Sequence, residues 1–313
     1  MITIKDVAKK AGVSISTASR ALHNNGYVSK KKRERIFNTA AELGYVVNVN
    51  AMQLKQKNQK TVGIIVSDLT NQYFSAFVQD LRTRLKELSY DLIVSISNGS
   101  SFEEEKQIKY LIGNKVSTIL FIPSSINNHS VLEIAKNYGV RMIQLFIRAY
   151  DDFSSIVNDD TNGAYQAAKL LAQENYQRIC LLDIDIENNI YPRREDGIEK
   201  AKLEYPNVLF TTLKMIPMNG FNSEDVARIE EFNPDALIAG TGLFGLNVLE
   251  YLKKTSRRIK LISFDDNEWL EYLGITSIRQ SRNRLLNETI RLVTSESDEI
   301  QHITIEETLV IRN

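Results

Sequence analysis

From Thr61 onward the chain alternates short apolar runs with helix-periodic stretches, and no other feature restricts its fold as much. TVGIIVSD from residue 61, YDLIVSIS from 90, STILFIPS from 117 and RMIQLFI from 141 read as strands. Between them, residues 73–88, 102–112 and 131–138 read as helices, the first carrying Phe74, Phe77, Leu81, Leu85 and Leu88 along one face. The pattern restarts after Val157, with helices over 162–172, 194–203, 223–232 and 243–252. Strands RICLLDI, NVLFTTL, DALIAG and IKLISFDD lie between and after them. Such alternation gives parallel sheets joined by right-handed crossovers, and two runs of it imply two similar doubly wound α/β subdomains. At 313 residues with 43% hydrophobic content, the chain has ample material for two or three domains. The single cysteine, Cys180, excludes an intramolecular disulfide. No apolar run approaches the ~18 residues of a membrane span. The first residues read as a capped helix rather than a signal peptide, so a cytoplasmic protein without a membrane partner is expected.

The first sixty residues differ in kind. Nine lysines and three arginines face one aspartate and two glutamates, a net +9, while the remaining residues carry −9. That split points to a polyanion-binding end on an acidic body. Within it, Ile4, Val7, Ala8 and Ala11 form one apolar helical face, with Thr3 and Asp6 placed as a capping box. Gly12 breaks that helix, and Ser14 is placed to cap a second one over 15–22. Helix, glycine turn and helix in twenty residues read as a helix-turn-helix, whose second helix enters the DNA major groove. Ser29 then caps a third helix, 30–43, ended by Gly44, with Ile36, Ala40 and Leu43 closing a small core on Val7, Ala18 and Leu22. Residues 45–60 are rich in Asn, Gln and Lys and read as a linker that folds on binding.

IKDVAKKAGVSISTASRAL, then YV, then Asn50-Ala51-x-x-Leu54-Lys55 together resemble the lactose/galactose repressor (LacI/GalR) family of bacterial transcription regulators. The resemblance implies an all-α headpiece over 1–47, a hinge over 48–60 and a periplasmic-binding-protein-like core over 61–313. The core would comprise a first subdomain of about 61–160 and 280–313 and a second of about 161–279. It further implies a homodimer that reads a near-palindromic duplex operator and answers to a small sugar-like effector. Ile15, Ser16 and Arg20 would point at base edges, Arg20 at a guanine. Thr3, Ser14, Thr17, Ser19, Asn24 and Ser29 would meet phosphates or cap locally. Leu54, beside Lys55, would be an apolar wedge in the minor groove, where unstacking a base step bends the duplex.

Ligands of open α/β sheets lie outside the carboxyl ends of the strands. Asp68, Asn71, Tyr73 and Phe74 follow the first strand where the family shows D-x-x-N-P-F-F, with Gln72 in place of the proline. Arg148 stands at the arginine of a family D-R pair whose aspartate is Ile147 here. Asp160 falls in the family's D-N position, Arg194 and Gly197 match R-x-x-G, and Asp265 matches the effector-binding aspartate, with Trp269 nearby. Thr241 and Gly242 replace the family's N-D. They would leave helix N-terminal amides bare, which favours an anion. With Arg148 and Arg194, that suggests a sugar acid or sugar phosphate.

Two other readings compete. Gly240-Thr-Gly-Leu-Phe-Gly245 matches G-x-G-x-x-G after a strand, with Asp265 about 20 residues on, as a dinucleotide-binding enzyme requires. The late place of this unit in the chain speaks against it. A solute-binding protein without a DNA role is opposed by the basic first segment. His23, His129 and His302 lie in separate segments without metal-ligand spacing, and no nucleophile or P-loop motif occurs, so neither catalysis, a metal nor a cofactor is expected.

Overall fold

The computed structural model describes residues 2–23, 26–45, 61–185, 194–216 and 220–312. It separates into two units, residues 1–59 and 60–313.

The first unit holds α1 (Ile4–Lys10), α2 (Ile15–Leu22) and α3 (Lys30–Leu43). The Asp6 carboxylate accepts hydrogen bonds from the Thr3 backbone N–H at 2.8 Å and the Thr3 hydroxyl at 2.6 Å, and these hold its carboxyl below the usual range. Gly12, at φ +60°, ends α1 in the left-handed region, which costs an L side chain ~1–2 kcal/mol. Ser14 Oγ accepts from Thr17 N at 3.1 Å and starts α2. Val7, Ala8, Ala11, Ala18, Ala21, Ile36 and Ala40 form the core, with Leu22 and Leu43 packed at its margin, as the periodicity predicts. Five of those seven core residues are alanines, so the helices approach closely around little apolar volume.

The second unit contains two six-stranded sheets. In the first, β1 (Thr61–Val66), β2 (Asp91–Ile96), β3 (Thr118–Phe121), β4 (Arg141–Leu145), β5 (Ser154–Asn158) and β11 (His302–Ile305) run parallel in the order β11-β5-β4-β3-β1-β2. Its helices are α4 (Gln72–Glu87), α5 (Ser101–Gly113), α6 (His129–Asn137) and the later α12 (Arg282–Thr294). The second sheet has β6 (Arg178–Ile184), β7 (Leu209–Met215), β8 (Ala236–Ala239), β9 (Lys260–Phe264), β10 (Ser277–Arg279) and β12 (Thr308–Val310), in the order β12-β10-β9-β8-β6-β7. Helices α7 (Asp160–Gln173), α8 (Arg194–Glu204), α9 (Ser223–Phe232), α10 (Gly242–Thr255) and the short α11 (Glu268–Tyr272) belong to this half. Phe77 and Phe121 are fully buried in the first half and Phe244 and Phe264 in the second. Burial of each such side chain contributes about 1.5–3 kcal/mol.

The chain passes between the halves three times, after Asn158, after Arg279 and between Ile305 and Thr308. Three expectations change here. Strand β5 was not legible, because Ser154, Ser155 and Asn158 interrupt its apolar run. NVLFTTL is displaced by two residues, since Pro206-Asn207 forms a turn and the strand proper is Leu209–Met215. The span 280–313 does not stay with the first subdomain. After β11 it returns to the second sheet, where β12 pairs antiparallel with β10. Arg312 fastens that return: Nη1 donates to Ile275 O and Ser277 Oγ, and Nη2 to Asp266 Oδ1 at 2.7 Å.

Candidate functional sites

Across the carboxyl ends of both sheets lies a cavity of about 670 Å3. β1 delivers Asp68, Asn71, Tyr73 and Phe74; β4 delivers Phe146 and Ile147; β8 and β9 deliver Thr241, Gly242, Asp265, Asn267 and Trp269. Asn158, Asp160 and Gln280 stand at two of the three crossings, and Arg194 opens α8. All the expected ligand-site residues line this space except Arg148.

Arg148 is displaced because β4 ends at Leu145 rather than at 147. Phe146 turns the chain at φ +65°, so Phe146 and Ile147 enter the cavity and Arg148 passes beyond it. There Arg148 pairs with Asp151 at 2.9 Å. Phe146 also anchors the aromatic wall, with ring centroids 5.6 Å from Tyr73, 5.0 Å from Phe74 and 5.4 Å from Phe77. Phe74 is thus both a core residue and a wall residue. Asp68 builds its own loop, its Oδ1 accepting from Thr70 N, Thr70 Oγ1 and Asn71 N at 2.7–2.8 Å. Asn71 caps α4 by accepting from Tyr73 N at 2.9 Å. Burial raises the Tyr73 phenol.

Arg194 is 6% exposed and sits between two buried carboxylates, with Nη2 at 2.6 Å from Asp160 and Nη1 at 3.0 Å from Asp183. Its guanidinium also lies 4.5 Å from the Phe264 ring centre. Burial pushes the Asp160 carboxyl up to about 6, and the adjacent Arg194 opposes that shift. Asp183 carries no sequence signal, being one more residue of an apolar strand until the fold sets it beside Arg194.

The helix end left bare by Thr241 and Gly242 turns out to be occupied. Gly242 N–H donates to Asp265 Oδ2 at 3.0 Å, and Thr241 Oγ1 accepts from Phe244 N at 3.2 Å. The three glycines of GTGLFG serve close packing instead. A Cβ on Gly240 would lie 2.8 Å from Leu182 O, one on Gly242 2.3 Å from Asn267 Nδ2, and one on Gly245 2.9 Å from Trp269 Cη2. A dinucleotide pyrophosphate would need helix-start amides, of which Gly242 N–H is held by Asp265 and Phe244 N–H by Thr241. Among the charged residues described in the cavity wall, Arg194 faces Asp68, Asp160 and Asp265. The surroundings are therefore acidic, not basic.

His129 and Glu133 stand four apart on α6, and the tertiary structure adds Asp152 to them, with ligand atoms within 4.8 Å of one another. His129 Nε2 is hydrogen-bonded to Asp152 at 2.7 Å on an exposed surface.

In the first unit, α2 presents Ile15, Ser16 and Arg20 to solvent while Ala18 and Ala21 face the core. Thr3, Ser14 and Thr17 are engaged in local capping, Ser14 Oγ lying 2.8 Å from Thr17 Oγ1. Ser19 is half-buried, and the Ser29 hydroxyl makes no capping bond. Asn24, Leu54, Lys55 and the hinge over 48–60 lie outside the described residues.

A small α-helical unit with an exposed helix-turn-helix, followed by a two-sheet binding unit with a cavity at the strand ends, defines a regulator-type architecture with a periplasmic-binding core. Residues 3–48 match the family described as bacterial regulatory proteins, lacI family. Residues 59–209 match the periplasmic binding proteins and sugar binding domain of the LacI family. The chain belongs to the LacI family. It is 29% identical over 204 residues to the HTH-type transcriptional regulator RegA of Clostridium saccharobutylicum, a match covering 64% of this chain and 61% of that protein. It is 23% identical over 328 residues to the HTH-type transcriptional repressor PurR of Erwinia tasmaniensis, covering 100% and 96%. The lac repressor dimer bound to operator and the anti-inducer ONPF superposes with a TM-score of 0.78 at 22% identity, over 99% of this chain and 98% of that one. No helix among the described residues is long and apolar enough to cross a membrane.

Proposed function

We propose that this protein is a homodimeric, cytoplasmic DNA-binding repressor of carbohydrate genes, controlled by a neutral sugar in the cavity, and that it is not an enzyme. The observation that carries the ligand class is the state of Arg194. Its charge is already shared by Asp160 and Asp183, and the helix N-terminus opposite is already held by Asp265. Buried acceptors and an aromatic wall of Tyr73, Phe74, Phe146 and Trp269 suit ring hydroxyls and a sugar face. A sugar acid or sugar phosphate would add negative charge to an acidic site. Calorimetry with D-glucose, D-galactose, D-ribose, D-gluconate and D-glucose 6-phosphate tests this, and tight binding confined to the last two would overturn it.

The DNA role rests on the basic first segment and the solvent-facing side of α2. Gel retardation of genomic fragments at low salt should succeed with the full chain and fail without residues 1–60. Arg20→Ala should cost about 1–3 kcal/mol and relax the sequence preference at one base pair per half-site. Leu54→Ala should weaken operator binding and leave sugar binding unchanged. Equal operator affinity would remove the wedge from the account.

A further inference from the structure

The link from β11 to β12, the third crossing, contains Glu306 and Glu307. The Glu307 carboxylate lies against Gly163 in the first turn of α7, where a Cβ would meet Oε2 at 2.0 Å and Ile278 Cγ2 at 3.0 Å. Both its oxygens are buried and neither accepts a hydrogen bond of ordinary geometry, although the Gln280 side chain lies beside it. The charged and titratable groups that face it come from every neighbouring element. They are Asp160 of α7, Arg194 of α8, Asp265 after β9 and Tyr73 of α4, with Asp183 of β6 joined through Arg194. One guanidinium thus serves four carboxyl groups, and Asp160 and Asp183 already hold it. Arg194 Nε is itself buried without an acceptor.

We propose that Glu307 is a positioning residue for the ligand cavity that works as the neutral acid. Protonated, it leaves Arg194 committed to Asp160 and Asp183 at the cavity wall. When its O–H bond breaks and the proton passes to water, the carboxylate competes for the unused Nε–H and draws the guanidinium away. The proposal rests on the cavity being the ligand site. Its energetics agree: burial raises the Glu307 carboxyl well above the ordinary range, Asp160 adds to the rise, and Arg194 opposes it. A carboxyl raised in the folded state contributes stability that is complete below its unfolded pKa and is lost as pH rises through the folded one.

Infrared spectra of the full chain near neutral pH should show a protonated-carboxyl C=O band that is missing in Glu307→Gln. Trp269 is the only tryptophan and lines the cavity, so its emission reports on the wall directly. It should titrate over the same range in the wild type and stay flat in Glu307→Gln. Dissociation constants for D-glucose, D-galactose or D-ribose should rise by up to about tenfold per pH unit above the Glu307 pKa, while Glu307→Gln keeps the low-pH affinity throughout. A merely structural role would instead weaken Glu307→Gln equally at every pH. Absence of the band, or one shared pH profile for both proteins, overturns the proposal. Should Glu307→Gln not fold, the uncharged Glu307→Met replaces it. If none of the three sugars binds at any pH, the ligand assignment fails, and the band and the Trp269 titration judge Glu307 alone.

Discussion

Arg194→Ala is expected to abolish the sugar response and also to destabilise the second unit by about 3–5 kcal/mol near neutral pH. The sequence motif alone suggests the first effect only. The second follows from geometry, because Asp160 and Asp183 are 4% and 5% exposed and lose their common cation together. Removing one partner of a buried ion pair leaves charge in a medium that solvates it poorly. The pH dependence has a definite sign. Without the guanidinium the Asp160 carboxyl, already raised by burial, loses the charge that opposes the shift and rises further. The penalty is therefore largest at neutral and alkaline pH and shrinks as pH falls through the raised value of Asp160. Urea unfolding followed by Trp269 emission, at about pH 7.5 and about pH 5.5, measures both quantities. Equal loss at the two pH values would contradict the ion-pair account. Operator binding should survive wherever the variant is folded.

Gly197→Ala is expected to be at least as damaging, although it adds one methyl group and touches no ligand-site residue directly. Helix α8 packs on α7 so closely that a Cβ at 197 would lie 2.2 Å from Thr161 O, 2.8 Å from Tyr165 N and 3.0 Å from Ala164 Cβ. Two of those neighbours are backbone atoms and cannot rotate away. The helices must separate, which opens the packed layer around the fully buried Ala164, Ala168, Ile198 and Ala201. Overpacking of this kind costs about 3 kcal/mol or more when the backbone has to yield. Separation would also pull Arg194, one turn earlier on α8, off Asp160 on α7. Sugar affinity should therefore fall together with the unfolding midpoint. Gly113→Ala provides the control: its Cβ meets nothing within 4 Å, and it should leave both quantities nearly unchanged.

The glycines show how far sequence reasoning reaches. GTGLFG suggested a phosphate cradle because glycine permits either close approach of a ligand or close approach of the protein itself. Only the positions of Leu182 O, Asn267 and Trp269 decide between the two. Arg148 was misplaced for a similar reason. The strand pattern of RMIQLFI is unbroken in sequence, and the turn at Phe146 depends on its packing among Tyr73, Phe74 and Phe77.

The amino-acid order by itself determined what depends on neighbours in sequence: the capped helices of the first unit, its basic charge, the alternating text of two parallel sheets, and most residues at the strand ends. Periodicity and capping act over a few residues, so they survive without three-dimensional information. Tertiary structure alone decided the partners of Arg194, the occupied end of α10, the return of the chain through Glu307 to β12, and the acidic sign of the cavity. Those depend on groups tens to more than a hundred residues apart brought within a few ångströms, where burial and charge act through space and leave no local mark on the sequence.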